Sequence, residues 1–516
     1  MRSIVLTAVM AIFMACNPAK QKSDTPKQDE QHFARKSDRT YFTFLQLNDV
    51  YEIAPIQNGK YGGMARVATV HKELLKENPN TLLVLAGDFL NPSLLGTMKV
   101  DGERLRGKQM VSVMNAMNFD LVAFGNHEFD LSYPHLQKRI NESNFTWISE
   151  NIQHKVGQEL QPFYQEKSAG KKNVEGTFVK TFTQPDGTPL KIGFFSVCIP
   201  SNPKSYVQYG DVFEGGKKAY EKLVSEVDVV IGLTHLTIAQ DKKLAAMLPG
   251  VPLIMGGHEH TNSYDKIGDV YISKADANAK TVYIHRLEYN PVTKKVALKS
   301  ELKEINEDIA EDSLVGNEVA KWQRVLTTKI KEVVANPNEV VFDAKEALDA
   351  RDTPIRSVQT TMGAVITEAM SFAFGDAVDC ALVNGGSIRI DDVLQGPITA
   401  VDIFRVLPYG GAIFKVEMTG ELLEKVLEYG KNAAGTGAYL QRYKAAYKND
   451  QWYVDGKEIV KSKTYSVVVS DYLMKGFDIP ILKEGVPGVL KMYKPMESEL
   501  AIDIRKAVLG YLKQKQ

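Results

Sequence analysis

Along its first half the chain alternates between short apolar runs and amphipathic helical stretches. The run Tyr41-Phe42-Thr43-Phe44-Leu45-Gln46-Leu47 has the period-2 pattern of a strand and stops at Asn48-Asp49. "TLLVLAGDF" carries a buried-type strand from Leu82 to Ala86 that stops at Gly87-Asp88. "FDLVAFGNHEFD" carries one from Leu121 to Phe124 that stops at Gly125-Asn126-His127. "VDVVIGLTHL" ends in Thr234-His235, and "VPLIMGGHEH" ends in Gly256-Gly257-His258-Glu259-His260. Between the strands, "GMARVATVHKELLKEN" places Met64, Val67, Ala68, His71 and Leu74-Leu75 on one helical stripe, and "GKQMVSVMNAMN" and "DKKLAAML" read the same way. Strand-helix alternation predicts a layered α/β architecture, in which sites gather beyond the carboxyl ends of the strands.

Taken singly, each strand end has an ordinary reading: Gly-Asp is a turn, and Thr-His is a hydrogen-bonded core histidine. Taken together, five apolar strands finish on two carboxylates, one amide and three histidines, with no thiolate. That donor set suits hard or borderline divalent cations. All nine histidines, His32 to His285, lie in the first part of the chain, so a histidine-rich metal centre can only be N-terminal.

Composition narrows the picture. At 516 residues the chain exceeds one ordinary core, and two or three domains are expected. Apolar residues at 44% and charged ones at 24% are those of a globular protein. Lys+Arg and Asp+Glu are equal at 63 each, which argues against nucleic acid as a partner. Three cysteines cannot build a disulfide framework; Cys198 and Cys380 sit in strand-like apolar runs and read as buried, inert thiols. The start, "MRSIVLTAVMAIFMACNPAK", reads as a secretory signal over residues 1–15, too short to span a bilayer as a mature helix. Its ending, Phe13-Met14-Ala15-Cys16, resembles a bacterial lipobox, which implies a lipid on Cys16; the alternative is ordinary cleavage. Asn17 after the cysteine implies, by the same resemblance, an outer-membrane anchor facing the periplasm. Residues 16–39 read as a flexible tether.

The series Asn48-Asp49, Gly87-Asp88, Gly125-Asn126-His127-Glu128-Phe129-Asp130, His235 and Gly256-Gly257-His258-Glu259-His260 resembles the metallophosphoesterase superfamily. Within it, the chain is similar to the bacterial 5′-nucleotidase/UDP-sugar hydrolase family over nearly all of residues 41–510. The resemblance implies a four-layer α/β/β/α catalytic domain (40–311), a linker helix (312–336) and a second α/β domain for substrate specificity (337–516). It implies that Asp88 bridges two divalent metals such as Mn or Zn, with Asp49 and His260 on the first and Asn126, His235 and His258 on the second. His127, oriented by Asp130, would stabilise developing charge or protonate the leaving oxygen. Two cations about 3.5–4 Å apart would activate a shared water for in-line attack on phosphorus.

Tyr51 departs from this pattern, because the family places histidine there. A phenol titrates at about 10 and binds well only to a cation able to displace its proton. Tyr51 is therefore either a ligand to iron, as in the more distant purple acid phosphatases, or a side chain turned into the core. In the second half, "LVNGGSIRI" matches the family block in which Asn384 and Arg389 contact phosphate and nearby polar groups. Arg356 resembles a further phosphate-side arginine. Tyr409 and Tyr472 stand where the family sandwiches a nucleobase, and Asp478 where it holds a ribose hydroxyl. The implied activity is hydrolysis of 5′-nucleotides. UDP-sugars or 2′,3′-cyclic nucleotides are alternative substrates, and a decayed nucleotide-binding lipoprotein is the alternative of a different class.

Overall fold

Side-chain parity along the strands builds two stacked sheets. The computed structural model describes residues 35–201 and 203–516. The signal segment, Cys16 and the tether through residue 34 lie outside the described residues. One six-stranded sheet runs in the order Lys295–Glu304, Thr281–Asn290, Thr40–Leu47, Thr81–Leu85, Leu121–Ala123, Thr146–Ile148. The other runs Thr177–Thr183, Pro189–Phe195, Val229–His235, Leu253–Gly257, Val270–Lys274, Ser263–Ile267. Phe42, Phe44, Leu82, Val84 and Leu121 point inward and pack against Phe194, Ile231, Leu233, Leu253 and Met255 of the facing sheet. Their neighbours in sequence point the other way. Leu45, Leu47, Leu83, Leu85 and Val122 join the core under the helices Met64–Glu77, Lys108–Met117 and Tyr133–Glu142. Val230 and Ile254 pack under Val212–Val224 and Ile238–Met247. The result is the expected four-layer α/β/β/α arrangement. On the helix Met64–Glu77, His71 and Leu74 are buried with the stripe, but Leu75, one position further round the helix, is exposed.

The strands that carry the sequence motifs are parallel neighbours in each sheet. Three therefore deliver their carboxyl ends from one sheet and two from the other, at the same end of the sandwich.

After the sandwich comes the helix Ser313–Lys331, capped by Asp312, whose Oδ1 accepts from the Val315 amide at 3.1 Å. Val315, Val319, Trp322, Leu326 and Ile330 form its buried stripe against the helices Met64–Glu77 and Lys108–Met117. Each such side chain contributes about 1.5–3 kcal/mol by burial. The C-terminal half centres on a five-stranded sheet in the order Leu440–Tyr443, Cys380–Asn384, Thr464–Ser470, Ile413–Thr419, Val489–Tyr493. Thr361–Phe372 covers one face and Gly420–Asn432 the other. Cys198 and Cys380 are both buried and free. Among the described residues, no helix is long and apolar enough to cross a membrane.

Candidate metal centre and substrate cleft

Each motif strand ends in a bend that turns a ligand-bearing residue into the gap between the sheets. Asp49, Asp88 and His258 have φ of 52°, 60° and 87°, in the left-handed region. Gly125 leaves the room Asp88 needs: a Cβ there would lie 2.1 Å from Asp88 Oδ1. The ligand atoms of Asp49, Asp88 and His235 all lie within 4.8 Å of one another, and all three residues are buried. Asn126 Oδ1 stands 3.2 Å from both His235 Nε2 and His258 Nδ1. His260 Nε2 is 3.3 Å from Asp49 Oδ1. The six residues read from the sequence as ligands are thus brought together.

Tyr51 joins them rather than turning into the core. Its hydroxyl lies 3.0 Å from His260 Nε2 and 3.4 Å from both Asp49 Oδ1 and Asp88 Oδ2. The backbone explains the direction: Asn278 Oδ1 accepts from the amides of Tyr51 and Glu52, which pins this turn against the site. Burial, with the Asp88 and Asp49 charges, pushes the phenol well above its ordinary range, so it holds its proton when no cation is near.

The donor set fits divalent cations, and His235 shows why. Its Nδ1 sits 2.7 Å from the Ala86 carbonyl, which fixes Nδ1 as the protonated nitrogen. Nε2 then faces Asp88 Oδ2 at 3.2 Å and Asn126 Oδ1 at 3.2 Å, both acceptors. A neutral imidazole has no second proton for them, so a cation must fill the gap. In the absence of a metal that cation is a proton: burial alone would lower His235, but the Asp88 and Asp49 charges carry it up to about 10. The reciprocal effect appears on Asp49, where burial is outweighed by His235 and His260 and the carboxyl falls far below its usual range. Two buried carboxylates that have, among the described residues, no lysine or arginine partner require such compensation.

Beside the cluster, His127 opens a one-turn 3₁₀ helix, His127–Asp130, that follows the strand end. Its amide donates to Asp88 Oδ1 at 2.7 Å, and its Nδ1 lies 2.6 Å from Asp130 Oδ2. Asn91 Nδ2 donates to the same Asp130 oxygen at 3.0 Å. Burial opposes charge on His127, yet Asp88 and Asp130 prevail and raise its pKa. Glu128, not singled out from the sequence, is fully buried. Its Oε1 accepts from the Phe89 and Leu90 amides at 2.8 and 3.0 Å, its Oε2 from Asp88 and Gly125 at 2.9 and 2.7 Å. Burial and the Asp88 charge push this carboxyl up to about 7, while the backbone donors pull it down.

His127 and Asp130 line a cleft of about 1000 Å³ together with Arg356, Asn384, Arg389, Tyr409, Tyr472 and Asp478. Every catalytic and substrate residue read from the sequence therefore borders one cavity. Asp478 is clamped there: Asn384 Nδ2 donates to Oδ2 at 2.7 Å and the Tyr472 hydroxyl to Oδ1 at 3.0 Å. Tyr409 is 53% exposed and Tyr472 37%, so both rings remain accessible from the cleft that they border. Phe477, 70% exposed, stands 5.9 Å from the Tyr472 ring and was not among the residues singled out from the sequence. Asp391 was also missed. It lies two residues after Arg389 and meets His260 Nδ1.

Residues 42–262 match the calcineurin-like phosphoesterase family, and residues 340–484 match the 5′-nucleotidase C-terminal domain. Human 5′-nucleotidase is 26% identical over 418 residues, covering 74% of this chain and 68% of the relative. The trifunctional nucleotide phosphoesterase YfkN of Bacillus subtilis is 26% identical over 414 residues, 73% of this chain and 27% of that protein. The crystal structure of a 5′-nucleotidase precursor from Thermus thermophilus superposes with a TM-score of 0.70, covering 92% of this chain and 97% of the other. At 22% identity that last likeness is one of fold. With a phosphoesterase sandwich followed by the 5′-nucleotidase C-terminal domain, and a donor set that demands cations, the chain belongs to the metallophosphoesterase/5′-nucleotidase family of metal-dependent phosphate-ester hydrolases.

Proposed function

We propose that the chain hydrolyses 5′-nucleotides to nucleoside and phosphate in this cleft. The observation that carries the reading is the shared lining, in which His127 and Asp130 of the sandwich face Arg389, Tyr472 and Asp478 of the C-terminal half across one cavity. Asp49 and His260 would hold a first divalent cation, Asn126, His235 and His258 a second, with Asp88 between them. When bound, the two cations supply Lewis acidity toward the phosphoryl oxygens and a nucleophile from water at neutral pH.

The chain's own groups do the rest. Asp130 fixes Nδ1 of His127, which leaves Nε2 to stabilise the phosphoryl charge or to protonate the leaving 5′-oxygen. Arg389, with Arg356 behind it, presents a guanidinium fork to the phosphate. Tyr409 and Tyr472 hold the base by stacking, worth about 1–3 kcal/mol. Asp478, oriented by Asn384 and Tyr472, retains free lone pairs for a ribose hydroxyl. The domain limits are those read from the sequence, 40–311, 312–336 and 337–516. A secretory signal with lipid on Cys16 would hold the enzyme at the outer membrane, acting on periplasmic nucleotides.

The test is phosphate release from AMP, UDP-glucose and 2′,3′-cyclic AMP by metal-stripped protein, before and after manganese, zinc or iron is restored. Metal-dependent release from AMP above the other two supports the reading, and a different order reassigns the substrate. No release with any metal would leave a binding protein. Tyr51 decides the metal: iron held by its phenolate gives a visible charge-transfer band that Tyr51→Phe abolishes, and a colourless iron-loaded protein would limit the first site to divalent ions.

A further inference from the structure

The residue that holds His260 from behind comes from the other half of the chain. Nδ1 of this imidazole meets the Asp391 carboxylate, while Nε2 points at Asp49 and the Tyr51 hydroxyl. We infer that Asp391 is a positioning residue for the first metal, fixing the His260 tautomer so that Nε2 offers its lone pair to the cation. The inference rests on the metal-centre reading above and deepens it.

Four observations support it. Asp391 is itself held in place, since it adopts φ 46° and its Oδ1 accepts from the Asp352 amide at 2.5 Å. Its Oδ2 is buried and, among the described residues, has no donor besides the imidazole it meets. The next residue anchors the segment to the sandwich, since Asp392 accepts from Gln57 Nε2 at 2.8 Å and lies 3.6 Å from Lys280 Nζ. Finally, with Tyr51 in the place of a second histidine, His260 is the one imidazole proposed for the first cation, so its orientation matters more than it would beside another. A carboxylate behind a metal-binding histidine sets the tautomer and raises its basicity, and losing it typically lowers metal affinity about 10- to 100-fold. The consequence is particular to this geometry. The first cation is bound at full strength only while the C-terminal half sits against the sandwich, so substrate-domain docking and metal retention are linked.

The experiment is a calorimetric titration of Mn²⁺ into metal-stripped full-length protein, for wild type, Asp391→Ala, Asp391→Asn and Gln57→Ala. Wild type should take up two ions. Asp391→Ala should keep one affinity and weaken the other by about 10- to 100-fold. Asp391→Asn should recover part of the loss, because its amide oxygen still accepts from Nδ1. Gln57→Ala removes one of the two partners of Asp392 and leaves Asp391 against His260, so both affinities should stay within about threefold of wild type. Two unchanged sites in Asp391→Ala would overturn the inference and leave the metal centre standing. Equal weakening in Gln57→Ala would overturn it too, by making docking alone responsible. Fewer than two ions in wild type would overturn the metal-centre reading and this inference with it.

Discussion

Replacing Glu128 by glutamine tests how the loop carrying Asp88 is held. Four backbone amides, those of Asp88, Phe89, Leu90 and Gly125, converge on one buried carboxyl at 2.7–3.0 Å. Glutamine keeps one acceptor oxygen, which serves two of these donors. Its NH₂ then faces the other two donors, which lose their partner inside the protein. A hydrogen bond to a charged group is worth about 1.5–3 kcal/mol, so losing two costs roughly 3–6 kcal/mol. Against a typical native stability of about 5–15 kcal/mol this is a large fraction. At about 2–4 °C per kcal/mol, the melting temperature of the catalytic domain should fall by 6 °C or more. The local effect should be clearer still: exchange-mass-spectrometry peptides covering residues 86–91 should lose protection before the rest of the sandwich. Activity should fall as well, by about 10²-fold for a displacement near 1 Å, because Asp88 rides on that loop. An unchanged melting temperature with unchanged exchange would refute the reasoning. It would mean that the carboxyl already carries a proton in the native protein.

Three further outcomes follow from the same geometry. His127→Ala should lower kcat about 10²–10⁴-fold while Mn²⁺ uptake stays as in wild type, and a parallel loss of metal would place His127 among the ligands instead. Arg389→Lys keeps the charge but loses the fork, so kcat/KM for AMP should fall about tenfold, and equal kinetics would show that Arg389 does not bind phosphate. His285, buried against Gln46 and Ser300, has its pKa lowered by desolvation from 6.5 to about 3. Its folded value is depressed, so it contributes stability above pH 6.5 that is lost progressively as pH falls toward 3. His71, lowered to about 4 by burial, adds to the same acid-side slope. Melting temperatures of wild type and His285→Gln between pH 7 and 4.5 should converge as pH falls, and parallel curves would exclude this histidine as the source.

The strand ends were legible because each signal was local: an apolar run, a turn residue and a ligand type within a few positions. The two-sheet stacking was legible for a related reason, since alternation along Phe42, Phe44, Leu45 and Leu47 already divides the inward from the outward face. Contacts set by remote partners were not. The direction of Tyr51 depends on Asn278, 227 positions away. The meeting of Asp391 with His260, 131 positions apart, depends on how the C-terminal half packs on the sandwich. Glu128 lay inside a quoted motif, yet nothing local says that four amides from two loops will converge on it. The place of Phe477 beside Tyr472 likewise depends on how their shared loop folds.

The ligand-bearing strand ends come from both layers of the sandwich: Asp49, Asp88 and Asn126 from one, His235, His258 and His260 from the other. A cation at that seam is a rivet as well as a reagent. Its coordination distances depend on the lateral registration of two sheets joined inside by apolar contacts such as Phe44 against Phe194, 5.4 Å apart edge to face. Apolar contact resists separation well and sliding poorly, because it has no preferred direction. Ions bound there would oppose small slips between the layers most strongly, and strain introduced deep in the interior, well away from any substrate, would be read out at that end as altered metal affinity.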